Sequence, residues 1–245
     1  MNDTQKELTC IEVVILIFLC IETGDNYLII YIGNKMSEPS LSVKNICGLD
    51  PFEIIDAVSH FYPMNIDQAI AVANSVYKKG ITDFLEIKSI PKKLRMVLNN
   101  EFRIGTFKPV LEDFSTDGSV KYLFRSSSGV EYETVFIPGI KRNTVCVSTQ
   151  SGCRMGCLFC ATAGYGYHGN LTAGEIINQV ISIAEAKKVN HVVFMGMGEP
   201  MDNLSGLLKA VEILTAGWGL AISSGNITVS TVGIKPGIVE FLEKT

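Results

Sequence analysis

The sequence predicts an α/β protein: a partial (βα) barrel, its first half only, preceded by a small α-helical module and a β-rich linker. Three observations predict it. From Thr144 onward, short apolar β-type runs alternate with helix-patterned runs three times, and serial βα units imply a parallel sheet with right-handed crossovers. Residues 50–100 carry helical spacing only. Residues 107–137 carry β-branched and aromatic runs broken by turn dipeptides. The expected division is an atypical extension at 1–35, the helical module at 36–105, the β-rich linker at 106–143 and the barrel half at 144–245.

In the helical module, Asp50-Pro51 starts a helix with Pro in its first turn. Asn65 to Lys79 places Ile66, Ala69, Ile70, Ala73 and Val76 on one face and stops at Gly80. Ile90-Pro91 opens a third helix, Lys92 to Asn100. In the linker, Asp117-Gly118 and Ser128-Gly129 mark turns beside strand runs at Val120–Phe124 and Val130–Ile137. In the barrel half the expected strands are Val145–Ser148, His191–Met195 and Ile227–Ser230. The expected helices are Thr172–Lys188, with the capping box Thr172-x-x-Glu175, then Asn203–Thr215, and a third from Pro236. The last strand then reads as an unpaired parallel edge, a liability in a sheet, and the expectation is that the natural barrel continues past Thr245.

A chain of 245 residues, 47% apolar and 19% charged, has material for one large domain or a small one plus a medium one. A net charge of −4 does not indicate a globally basic nucleic-acid binder. Locally, residues 76–108 hold eight Lys/Arg against three Asp/Glu, a patch able to meet phosphates or simply a solvated helical face. The odd count of seven cysteines, unevenly spaced, argues against a secreted disulfide framework and for the reducing cytoplasm. Ile11–Ile21 is apolar but short of the ~20 residues of a membrane span, and it lacks the flanks of a signal peptide. No membrane partner is expected.

The chemistry concentrates in Cys153-Arg154-Met155-Gly156-Cys157-Leu158-Phe159-Cys160. Three thiolates in one short loop want a metal, and this spacing suits three corners of a 4Fe–4S cubane better than one tetrahedral ion. Such a cluster leaves one iron open. A structural zinc site would need a fourth ligand, for which His168 is the nearby candidate. Met195-Gly196-Met197-Gly198-Glu199-Pro200 ends the second strand, where glycines let the backbone approach a ligand and Glu199 can accept from an ammonium. Taken singly, this stretch also reads as an ordinary βα turn. Ser230 ends the third strand with a hydroxyl that either reaches a ligand or satisfies a loop amide.

The C-x3-C-x-aromatic-C pattern is that of the radical S-adenosylmethionine (SAM) enzymes. With Glu133–Pro138, Cys146–Cys153 and Gly196–Pro200 beside it, the chain from about residue 45 resembles the radical SAM dual-specificity RNA adenine-C2 methyltransferases (RlmN/Cfr-like). The resemblance implies a fold of the radical SAM type, a 4Fe–4S cluster on Cys153, Cys157 and Cys160, and SAM contacts from Phe159, Gly198, Glu199 and Ser230. It implies a proton acceptor at Glu133 and, at Cys146, a thiol that pairs transiently in a disulfide with a methyl-carrying cysteine. It implies methylation of adenosine C2 in 23S rRNA, with tRNA as a further substrate and a one-electron reductant such as flavodoxin. The alternatives are C8 methylation and an inactive truncated remnant that binds a cluster or RNA. The methyl-carrying cysteine of the family pattern falls beyond Thr245, so full turnover is not expected of this chain alone.

Overall fold

The computed structural model describes residues 12–15 and 44–245 of the chain. A short parallel pair, β2 (Lys44–Asn45) with β3 (Phe102–Arg103), closes the helical module at its base. Within it, α1 (Pro51–Ser59) begins at a capping box in which Asp50 accepts from the Glu53 amide and Glu53 accepts from the Asp50 amide. Helix α2 (Ile66–Asn74) begins the same way at Asn65 and Gln68. It runs into a π-helical turn, Ser75–Lys79, that stops at Gly80. Helix α3 is Lys92–Glu101, one residue longer than the spacing predicts. Ile54, Val58, Val72, Val76, Leu94 and Leu98 interlock as this module's apolar core.

Strands β4 (Leu111–Phe114), β5 (Val120–Arg125) and β6 (Glu131–Ile137) form an antiparallel meander through the two foreseen turns. It is continuous with the barrel sheet, because β6 pairs antiparallel with β7 (Thr144–Cys146). Next, β8 (Gln150–Gly152) and β9 (Tyr167–Asn170) make a separate two-stranded ribbon that the sequence pattern does not reveal. Then come α4 (Ala173–Ile181), β10 (His191–Phe194), α5 (Leu204–Thr215), β11 (Ile227–Thr231) and α6 (Lys235–Lys244). Strand β10 lies parallel between β7 and β11. The expected Thr172–Lys188 helix ends early: Ser182 turns its hydroxyl back to Asn178, and a separate 3-10 turn follows at Ala186–Lys188.

The expectation of a bare parallel edge at β11 is overturned. Backbone from the start of the chain, β1 (Glu12–Ile15), pairs parallel with β11, Glu12 opposite Thr228 and Ile15 opposite Thr231. Seven strands thus follow the order β1-β11-β10-β7-β6-β5-β4 among the described residues. The rest of the expected 1–35 extension lies outside them. No helix among the described residues is long and apolar enough to cross a membrane.

Helix α4 fastens the other parts together through buried amides. Asn178 accepts from the Phe107 amide at 2.9 Å and donates to the Phe107 carbonyl at 3.0 Å, gripping the linker backbone. Gln179 accepts from the Ser148 amide and the Thr134 hydroxyl, and donates to the Ser148 carbonyl. At the helix's first turn a Cβ on Gly174 would fall 2.5 Å from the Cys47 carbonyl oxygen, so only glycine lets the helical module approach this closely. Lys209 of α5 adds a bridge to the same module, 2.6 Å from Asp50 and 3.3 Å from Glu53.

Because Gln179 serves three buried groups, Gln179→Leu strands them in an apolar site. Leaving buried donors or acceptors unmet costs about 1–3 kcal/mol, which for a chain of this size lowers Tm by roughly 2–12 °C. Thermal denaturation followed by circular dichroism checks this; an unchanged Tm would show that the amide is dispensable.

Candidate active site

Sheet register places the predicted residues. In β6 and β7, Val135 lies opposite Cys146, and in β10 and β7, Val193 lies beside Cys146. Directly paired residues share a face, as do residues two apart. Glu133, Val135, Cys146 and Val193 therefore lie on one face. The pairing of Val193 with Thr228 puts Ser230 on that face too. The opposite face carries Thr134, Val145, Val192, Phe194 and Val229, all buried, and receives α4 at Gln179. So Glu133, Cys146 and Ser230, distant in sequence, occupy the half-buried face of one sheet.

The loops after β7, β10 and β11 leave the carboxyl ends of three neighbouring parallel strands, where parallel α/β folds build their sites. The cysteine loop, 153–166, is tied at its base by the β8–β9 ribbon and by the Cys153 amide donating to the Gly166 carbonyl at 2.9 Å. All three cysteines are half-buried free thiols. Burial pushes the Cys153 thiol up, and the sulfurs of Cys157 and Cys160 act in the same direction. Among the described residues no three His, Cys, Asp or Glu side chains converge as ligands of a single ion. His168, the candidate fourth zinc ligand, instead has its Nε2 2.8 Å from the Tyr165 carbonyl. Three loop thiols with no fourth side-chain ligand fit a cluster spread over several irons. Phe159, in the same loop, is 71% exposed.

The second loop packs on the first strand's continuation. Gly198 has φ +99°, and a Cβ there would fall 2.6 Å from the Gln150 Cβ. Glu199 is 2% exposed. Its Oε1 accepts from the Thr231 hydroxyl and the Met201 amide, and its Oε2 accepts from the Val232 amide at 2.9 Å. Three donors on a carboxylate with about four acceptor positions leave one, on Oε2, for an external cation. Glu133 sits 3.3 Å from Lys121 Nζ and lines a cleft of about 460 Å³ with Glu131, Ser151, Tyr165, His168 and Met197. Burial raises the Cys146 thiol above the ordinary cysteine value.

Several residues that shape the site escape sequence reading. Ser148 donates to the Glu133 carbonyl and accepts from the Met197 amide, joining the hairpin to the glycine loop. Gln150 accepts from the Glu199 amide and donates to Asn170 and Asp202. Thr231, next to the foreseen Ser230, holds Glu199. Polar residues in an otherwise apolar strand context were the available signal for Ser148 and Gln150. For Thr231 there was none.

The expected disulfide is not supported. Each described cysteine is a free thiol, and the cross-strand neighbours of Cys146 are Val135 and Val193, so no sulfur faces it across the sheet.

The family model of the Radical SAM superfamily matches residues 147–245, the span that contains the cysteine loop and the loops that follow β7, β10 and β11. Over these residues the chain is similar to the radical SAM superfamily. A protein of Parabacteroides distasonis named a probable dual-specificity RNA methyltransferase RlmN is 45% identical over 174 residues, 71% of this chain and 51% of that protein. One of the same name from Thermus thermophilus is 45% identical over 178 residues, 71% of this chain and 50% of its own length. The chain thus spans about half the length of the curated relatives it matches. Among solved structures, a radical SAM methyltransferase from Sphaerobacter thermophilus superposes with a TM-score of 0.73 at 34% identity, covering 80% of this chain and 59% of that one.

The raised Cys146 pKa has a chemical consequence. A thiol whose pKa is raised holds less thiolate at a given pH, and the thiolate is the nucleophile. At pH 8 Cys146 should react with iodoacetamide more slowly than free cysteine, and the difference should close as pH rises through its raised pKa. Cys47, pushed up to about 12 by burial, should lag further. Peptide mass spectrometry of the alkylated chain reads both; alkylation of Cys146 at the free-cysteine rate would contradict its burial.

Proposed function

We propose that this chain carries the active site of a radical SAM RNA methyltransferase that methylates C2 of adenosine in 23S rRNA, with tRNA as a second substrate. The observation that carries the reading is the shared sheet face: Glu133, Cys146 and Ser230 lie together on it, beside the strand-end loops of Cys153–Cys160 and Gly198–Glu199. The relatives named above support the RNA methyltransferase class. In this reading Cys153, Cys157 and Cys160 hold a 4Fe–4S cluster, which when bound supplies one electron for cleaving SAM. Glu199 receives the SAM ammonium on its remaining acceptor position, Gly198 lets backbone approach the cofactor, Ser230 offers a hydroxyl and Phe159 packs beside the adenine. Glu133, half-exposed in the cleft, takes the C2 proton of the target base. Cys146 supplies a thiol on the same face, which burial holds in its protonated form more firmly than an exposed cysteine. A one-electron reductant of the flavodoxin type is the proposed partner, and the cytoplasm the proposed compartment.

Anaerobic reconstitution with iron and sulfide tests the cluster. The wild-type chain should take up iron and show broad absorbance near ~400 nm; Cys157→Ala should lose both. A chain indifferent to that substitution overturns the reading. Mapping the methylated carbon on RNA with the natural full-length protein then separates C2 from C8.

The helical module is the proposed RNA-facing part, residues 36–105 in the expected division. Lys79, Lys88, Lys92 and Lys93 are exposed on it, and mobile ammonium groups suit phosphates, whose neutralisation releases counterions. Lys92→Gln with Lys93→Gln should weaken binding to an rRNA fragment and reduce the slope of log K against log salt by about 1–2. Filter binding at several salt concentrations measures it, and an unchanged slope removes these lysines from the interface.

A further inference from the structure

We propose that Arg154 and Asp202 form a latch that fixes the cysteine loop against the Glu199 loop, making Arg154 a positioning residue for the metal site. This rests on the cluster reading of the three cysteines. Arg154 immediately follows Cys153, and its Nε lies 2.6 Å from Asp202 Oδ2. Its guanidinium also lies over the Tyr167 ring, 4.4 Å from the centroid. The side chain is thus held from two sides, by a carboxylate after β10 and by an aromatic face on β9.

Asp202 is itself anchored. The same Oδ2 accepts from Gln150 Nε2 at 2.8 Å, and its carbonyl accepts from Asn170 Nδ2 at 3.2 Å. Gln150 is fully buried, and its Oε1 accepts from the Glu199 amide at 3.0 Å. A hydrogen-bonded path therefore runs from the cysteine loop through Arg154, Asp202 and Gln150 to the backbone of Glu199. Glu199 extends it to Thr231 and Val232 at the end of β11. The loop from 153 to 166 contains only a short 3-10 turn, so it has little internal structure to fix where its thiols sit. The latch supplies that fixed reference. It sets the separation between the metal held by the loop and the cation held by Glu199, two halves of one cofactor site.

The test uses Arg154→Gln, Arg154→Lys, Asp202→Asn and the double variant Arg154→Gln/Asp202→Asn, each beside wild type. Hydrogen exchange in the metal-free chain reads the latch without any cluster. Amides of residues 153–166 should exchange about tenfold faster in Arg154→Gln and Asp202→Asn, with Arg154→Lys between these and wild type. After anaerobic reconstitution, loss of iron to a chelator should quicken by about 10- to 100-fold, the usual scale for an outer-shell partner. The concentration of SAM needed to change the electron paramagnetic resonance spectrum of the reduced cluster should rise. The double variant should be no worse than the more affected single one, because the contact between the two side chains is lost in each. Variants equal to wild type in exchange and iron retention, or additive effects, overturn the latch. A wild-type chain that takes up no iron while the exchange differences hold overturns the cluster reading and leaves the latch as a fastening of the loop alone.

Discussion

The side-chain amides of α4 are the constraint on which the rest of the molecule depends. An amide is a double-ended group, donor and acceptor, and when buried it must be met at both ends. Asn178 meets both ends on one residue, the backbone of Phe107, and so fixes where the linker crosses the helix. Gln179 meets its ends on Ser148, and its oxygen takes a third bond from Thr134. Neighbouring positions of one helix thereby hold the linker, the hairpin strand β6 and the segment after β7 together. In a low-dielectric interior a satisfied network of this kind specifies one arrangement, because each alternative leaves a polar group stranded.

That arrangement is what gives Glu133 its place. The hairpin strand β6 is bound to β7 by its ladder, but the ladder alone ends at Val135 and Cys146. Beyond it, the Ser148 hydroxyl continues the connection to the Glu133 carbonyl, and the Ser151 hydroxyl does the same for the Glu131 carbonyl. Two hydroxyls thus replace ladder bonds where the strands diverge, and the cleft opens beside them. The meander is in this sense a wall of the site as well as a connection between modules. Similarly, Glu199 is held by backbone amides and a hydroxyl and has no cation of its own among these partners. A buried carboxylate arranged so is costly without a positive charge nearby, which is consistent with a site built to receive one.

Much of the fold was legible in the sequence, for reasons visible in particular residues. Pro51, the apolar spacing after Asn65 and the capping box at Thr172 announced helix starts, and in the structure all three helices begin there with capping boxes at Asp50, Asn65 and Thr172. The two turn dipeptides announced the meander. The three βα units showed through their apolar runs, since parallel strands are buried on both faces. What escaped was tertiary. The β8–β9 ribbon contains Gln150-Ser151-Gly152 and Tyr167-His168-Gly169-Asn170, polar and glycine-containing runs with low strand propensity that pair because they bracket a loop. The early end of α4 depends on Asn178 and Ser182 meeting each other, which periodicity does not encode. For the site, cysteine spacing and the glycine loop named the right stretches. The residues between them that do the holding, Ser148, Gln150 and Asp202, gain meaning only from partners about fifteen to fifty positions away.

The pairing of β1 with β11 carries a consequence for the order of events during synthesis. The strand at Glu12–Ile15 has its partner more than two hundred residues later, at Thr228–Thr231. A ribosome adding roughly 5–20 residues per second leaves the early segment waiting roughly 10–40 seconds before that partner exists. Contacts so remote in sequence slow folding, because the intervening chain must be ordered or its closure entropy met first. The helical module, whose contacts are local, has no such delay. Ordering therefore begins in the helical module, and the strand at Glu12–Ile15 is among the last to join the sheet.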